Sequence, residues 1–247
     1  MKITSLLPLV SATLSLAIAI PSEPGFCGPD EAVLFLEDGT STTIEKDDLA
    51  SHLDGLTYLN PNATPQVPRL IQSGAPASNI TKRGSSAQLI VELSDLDFLG
   101  WDIAMSTIVH ANQADATVAI ASGQMIANSV TTTTSADITV IEDFLSVTTG
   151  NSYQDTTTST LTGTATMTIP KNNWGAIVSN PLTHRKRGYV WTGQPGSGQF
   201  SYYQADSFDN ASYGYTGGTL SWVKGVMTTC LGDTYPLPRC NGQGTLE

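Results

Sequence analysis

From Ser159 to Ile169 the chain reads STLTGTATMTI, with Leu161, Gly163, Ala165, Met167 and Ile169 on odd positions and threonine on every even position between them. Strict period-two alternation with β-branched threonine fits a pleated strand better than a helix. One face is then apolar and buried, the other hydroxylated and wet. Pro170 ends the run because it has no ladder donor to offer. Shorter versions of this pattern recur at Gln88–Leu93, Trp101–Ala111, Ala116–Ala121, Met125–Thr134, Ala136–Ile141, Phe144–Thr149, Trp174–Ser179, Gly188–Thr192, Gln199–Gln204 and Thr219–Thr229. Asp95–Leu99, Gly123, Gly150-Asn151, Lys171-Asn172-Asn173 and Tyr213–Gly218 read as turns or loops. Many short strands with little helical period predict an all-β fold, an antiparallel β-sandwich or a barrel-like domain rich in Ser/Thr strands.

The first third of the chain is different. Lys2 followed by the apolar stretch Leu6–Ile18 and the small residues Ala17 and Ala19 reads as a signal peptide, residues 1–19, cut after Ala19. Residues 20–83 are acidic, with nine Asp and Glu against four Lys and Arg. Ala32–Leu36 and Thr40–Ile44 around Asp38-Gly39 predict a hairpin, and Glu45–Leu53 a short helix. Asn60–Pro76, rich in Pro, Asn and Ser, reads as a linker. It leads to Lys82-Arg83, a dibasic pair of the kind that a subtilisin-like processing protease recognises in an extended, accessible segment of a secreted chain. The expected organisation is therefore a signal peptide, a pro-segment over 20–83 and a mature β domain over 84–247. A second basic run, Arg185-Lys186-Arg187, lies between two strand-like runs, and folding is expected to protect it.

A net charge of −11 with 13% charged residues argues against nucleic acid and against docking on anionic lipid, both of which call for clustered Lys and Arg. After the leader, no apolar run is long enough to be a transmembrane helix. The three cysteines are Cys27, Cys230 and Cys240. Cleavage after Arg83 leaves Cys230 and Cys240 to form a disulfide, while pairing of Cys27 with either one stays open. Asn62, Asn79 and Asn210 each head a glycosylation sequon.

No GxSxG, HExxH, phosphate-binding loop or dinucleotide fingerprint is present, and no Cys/His cluster has metal-ligand spacing. No catalytic, cofactor-binding or metal residues are assigned, and no cofactor is expected. His110 reads as a structural residue within a strand and His184 as a solvated one in a basic loop. The carboxylate pairs Glu142/Asp143 and Asp206/Asp209 suit turns better than glycoside hydrolysis.

Four C-terminal blocks carry a resemblance: Trp174–Pro181 (WGAIVSNP), Tyr202–Ser207 (YYQADS), Leu220–Val226 (LSWVKGV) and Cys230–Cys240 (CLGDTYPLPRC). Together they resemble a family of fungal secreted, effector-like proteins of unassigned biochemistry. The resemblance implies an extracellular protein and transfers no catalytic residue; the final cysteine pair belongs to it. Three classes of function follow. The first is a secreted, non-catalytic interaction module for a host protein or glycan, with Tyr189, Trp191, Tyr213 and Tyr215 as a binding face. The second is an aerolysin-like β-pore-forming protein, because Asn128–Ile169 supplies two-faced Ser/Thr strands separated by a turn. The third is an extracellular hydrolase without a local signature.

Overall fold

The computed structural model describes residues 26–35, 40–53, 56–58, 87–133, 138–149, 155–193, 198–215 and 218–247. The fold is all-β, with antiparallel sheets packed in the manner of a sandwich and no closed barrel among the described residues. Its spine is the strand Trp174–Gly193, 20 residues long. The first half pairs with Gly225–Gly232 on one side and with the short strands Ile103–Ala104 and Val109–His110 on the other. The second half changes partners, to Gln199–Phe208 on one side and to Ala87–Glu92 and Leu96–Leu99 on the other. Ser129–Thr132 adds a strand beyond Gln199–Phe208.

Two smaller sheets complete the packing: Ala116–Ala119 and Phe26–Cys27 flank Thr166–Ile169, and Thr160–Thr162 and Asn210–Tyr215 flank Gly218–Val223. The main core gathers Met105, Val118, Met167, Ile169, Ile177 and Trp222. The opposite face of the spine, Ala176 and Val178, together with Cys230 of the strand paired to it, is covered by Leu237 and Leu246 of a C-terminal hairpin. A helix, Ile138–Thr149, lays Ile141 and Leu145 on Val190, Tyr203 and Ala205.

The acidic N-terminal segment is part of this sheet. Glu31–Phe35 pairs with Gly225–Gly232 and then with Ser41–Glu45, which is the hairpin expected around Asp38-Gly39. The predicted short helix is a 3-10 turn, Lys46–Asp48, followed by Leu49–His52. Ala32, Leu34, Leu49 and Leu53 form one buried cluster with Leu99 and Val226. The Lys46 ammonium donates to the Thr229 carbonyl at 3.0 Å. Lys82, Arg83, Asn62 and Asn79 lie outside the described residues.

Several expectations are corrected. The alternating run 159–169 is two strands, because Gly163 adopts φ 86 and sends Thr160–Thr162 and Thr166–Ile169 to different sheets; Ala165, Met167 and Ile169 are buried as the pattern requires. Asp95–Leu99 contains a strand, Leu96–Leu99, held by the spine. Tyr213 and Tyr215 lie in the strand Asn210–Tyr215, with Tyr213 packed inward. Residues 138–149 form a helix where two strands were expected, because burying Ile141 and Leu145 on the sheet overrides their β-branched surroundings.

The basic run 185–187 is the middle of the spine rather than a loop between strands. Arg185 forms two parallel 2.6 Å bonds to Asp206, and Lys186 reaches Asp95 at 2.8 Å. Paired throughout with Gln204–Asp206, and held on the other edge by Leu96 opposite Arg185 and by the Leu93 N–H on the Arg187 carbonyl, this run is not available in the accessible form that a processing protease needs. Pro181, also inside the spine, sits opposite Gly225 where one ladder ends, so its missing N–H costs no pairing. A Cβ on Gly225 would collide with the Asn180 carbonyl, so only glycine fits that crossing.

Cys230 and Cys240 are disulfide-bonded, with Cα atoms 5.6 Å apart. Closing so short a loop contributes about 2–3 kcal/mol in the chain-entropy account. Replacing both cysteines by serine is expected to lower the melting temperature by several degrees, which calorimetry of the oxidised protein and the variant measures directly.

Candidate functional site

Two polar clusters organise the surface around the spine. Asp102 is fully buried, and its Oδ2 accepts the backbone N–H groups of Cys240 at 2.7 Å and Asn241 at 2.9 Å. Its Oδ1 accepts the Asn180 side-chain amide at 2.7 Å. The Arg239 guanidinium donates to its backbone carbonyl. Tyr58 is close enough that Asp102 reinforces the effect of burial, which pushes its phenol above the usual range, against a hydrogen bond from Asn241. Asp102 also lies with Cys230 and Cys240 in a tight group of potential metal ligands. The two sulfurs are bonded to each other, so neither offers the thiolate that a metal takes. The cluster is a clasp that holds the C-terminal segment against the spine. Nothing in the sequence around Asp102 signalled it beyond an acid in an otherwise apolar stretch.

The second cluster surrounds His184, which lies in the spine strand and not in a loop. Its Nδ1 is 2.7 Å from Asp97 and its Nε2 is 3.7 Å from Asp209, which also binds Lys224 at 3.2 Å. A general base must present one ring nitrogen to a nucleophile, and here both face carboxyl groups. Asp206 is engaged by Arg185. The pair Asp206/Asp209 is thus divided between two cross-strand contacts, while Glu142/Asp143 sits on the helix.

The aromatic face expected from sequence is mostly interior. Tyr189, Trp191 and Tyr213 are buried, and only Tyr215 keeps partial exposure. Their alternating positions fit a core strand as well as a surface one, and the packing of the spine and of the strand Asn210–Tyr215 decided the matter.

A different set of rings lies outside. His110 and Trp174 are register partners across the spine edge, and their rings stack with centroids 4.6 Å apart and planes 9° apart. Tyr235, from the disulfide loop, approaches Trp174 at 4.9 Å and 35°. His110 is exposed, Trp174 half-buried, and Tyr235 is 55% exposed. Around this column run two loops tied to each other: the Ala111 N–H donates to the Asn173 carbonyl, the Asn172 N–H to the Ala111 carbonyl, and the Lys171 N–H to Asp115 at 2.8 Å. Asn172 takes φ 66, which asparagine tolerates better than most residues. The result is a fixed row of rings, and Asn112, Gln113, Asn172, Asp233 and Thr234, each within three residues of a ring residue along the chain, are exposed. Asn210, the sequon in the described body, is exposed at the start of its strand and accepts a hydrogen bond from Thr157.

Comparison with family models, with curated proteins and with solved structures finds no match to this chain.

Asp102→Ala removes the acceptor for two backbone N–H groups and a buried amide. Orphaned buried donors cost about 1–3 kcal/mol each, so a loss on the order of 3 kcal/mol or more in urea unfolding is expected. Hydrogen exchange should show residues 237–246 losing protection before the spine does.

Proposed function

We propose that this is a secreted, effector-like, non-catalytic binding module whose ligand is a glycan. The observation that carries this reading is the exposed column of His110, Trp174 and Tyr235. The apolar C–H face of a pyranose ring packs on the electron-rich face of an aromatic ring, and Tyr235, 55% exposed and tilted 35° from Trp174, is the ring of the column that offers such a preformed contact at low entropic cost. Amide and hydroxyl groups beside the rings are suited to sugar hydroxyls, which both donate and accept hydrogen bonds. The sparse surface charge fits a neutral ligand. The leader residues, the sequons and the disulfide agree with an extracellular location. The His184 arrangement disfavours the hydrolase reading.

Neutral cell-surface and cell-wall oligosaccharides, presented on an array and followed by calorimetry, are the test. Binding is expected, with Tyr235→Ala weakening it at least tenfold, or about 1.4 kcal/mol, while the melting temperature stays within a few degrees. Failure of every oligosaccharide to bind, or binding that ignores Tyr235, would sink the glycan reading.

The same reading includes processing after Arg83. Because residues 26–58 contribute paired strands and a buried cluster, the cut product is expected to be two chains held together without a covalent requirement. N-terminal sequencing of the natively purified protein should then return both Ile20 and Gly84. Ile20 alone would exclude cleavage at Lys82-Arg83, and Gly84 alone would show that the N-terminal segment departs.

A further inference from the structure

The helix Ile138–Thr149 stands where the sequence pattern calls for strands, and the conflict is quantitative. Seven of its twelve residues are β-branched, which favours the extended state. Val147 on this helix is 86% exposed, the most exposed of the large apolar side chains among the described residues. The helix lies inside an excursion whose two ends are already paired. Met125–Ala127 and Thr156–Thr158 form an antiparallel ladder with the register Ala127↔Thr156, Ile126↔Thr157 and Met125↔Thr158. Among the described residues this ladder has no third strand.

Continuing that register inward places Val130 opposite Tyr153, Ala136 opposite Val147 and Ile138 opposite Leu145 on one face, interspersed with threonines and one asparagine and without charge from Val130 to Ile138; Asn128 and Asp155 follow on this face at its base. The other face would carry Thr131, Thr133, Ser135, Ser146, Thr148 and Ser152. Asp137 falls on this polar face, with Phe144 and Ile141 near the tip and Met125 at the base as its large apolar exceptions. Glu142 and Asp143 fall at the tip itself. From Val130 to Ile138 the strand has the length of roughly 9–11 residues that crosses a bilayer, with a lipid-compatible face, a hydroxylated face and a polar tip.

We propose that segment 125–158 is a convertible hairpin that inserts into membranes. On assembly of several copies at a bilayer, Ser129–Thr132 leaves Gln199–Phe208, the helix unwinds, and the outer ladder zips into one amphipathic hairpin. Each copy then contributes two strands to a transmembrane barrel, in which neighbouring copies satisfy the hairpin edges. What is given up is a four-residue ladder, the bonds of Asn128 to the Phe208 N–H and of Thr133 to Tyr202, and the burial of Ile141 and Leu145. What is gained is an extended backbone for seven β-branched residues and a lipid environment for Val147. This activity goes beyond glycan binding and does not depend on it.

Ser146 and Val147 are adjacent and both exposed on the native helix, yet they fall on opposite faces of the hairpin. Val147→Lys and Ser146→Lys should therefore leave the circular dichroism spectrum and melting temperature unchanged. The wild-type protein is expected to release a trapped dye from phosphatidylcholine–sterol vesicles or from vesicles of total plasma-membrane lipid extract. Val147→Lys should lower the release at least tenfold, because a lysine would face the lipid chains. Ser146→Lys should stay within twofold, because it would face the water-filled lumen. If either variant loses its native melting transition, Val147→Glu and Ser146→Glu replace the pair. Absence of release from both vesicle types, or equal release by the two variants, would overturn the proposal. Neither result bears on oligosaccharide binding, so the two readings fail separately.

Discussion

A strand of 20 residues must find hydrogen-bond partners on both edges for its whole length, or leave buried backbone groups unsatisfied. That requirement shapes this molecule. No single neighbour is long enough, so the spine is shared: one set of strands serves residues 174–181 and another serves 182–193. The change of partners falls at Asn180 and Pro181. There Asn180, fully buried, donates to Asp102 and to the Gly100 carbonyl at 3.1 Å, and the Pro181 carbonyl accepts the Gly100 N–H at 2.8 Å. Side-chain and loop groups thus take over where the ladders are interrupted.

Asp102 connects this junction to the C-terminus. The same carboxyl group that receives Asn180 receives the N–H groups of Cys240 and Asn241, so the disulfide loop is fixed relative to the spine at two points, one covalent and one polar. Tyr235 extends from that loop, and Trp174 and His110 extend from the spine and its edge. The ring column is therefore preorganised by contacts that do not involve the rings. This is the condition under which a surface binds a ligand without a large ordering cost.

The parts legible in the sequence are those whose physics is local. Alternation located the buried residues of 165–169 and 116–120, and the Asp-Gly pair located the first hairpin, while the disulfide of Cys230 and Cys240 was expected only on the premise that Cys27 leaves with a cleaved pro-segment. The parts that were not legible depend on partners distant in the chain. Asn180 to Arg187 reads as a polar break, yet it continues the spine because Asp206, Asp95 and Asp97 stand ready on neighbouring strands to neutralise it. The ring column draws on residues 110, 174 and 235, and no spacing rule joins them. Tyr189, Trp191 and Tyr213 showed the converse: aromatic residues at strand spacing look alike whether the face they occupy is covered or open.

The helix Ile138–Thr149 is the place where local and global preferences disagree most. Its residues fit a strand better, and its hold on the sheet rests on Ile141 and Leu145, with Phe144 partly buried beside them. Thr148 spends its hydroxyl on the Phe144 carbonyl one turn back, a bond that slightly weakens helices. The spine, by contrast, is buried from Gly175 to Pro181, paired with Gly225–Leu231 along that whole run and, on its other edge, with Val109 and Ile103–Ala104. Stability in such a structure is unevenly distributed, and a segment held by few contacts against its own propensity lies at the low end of the range. The conformation of residues 138–149 is consequently decided by what the rest of the fold offers them, so a change in surroundings acts on this segment before it acts on the spine.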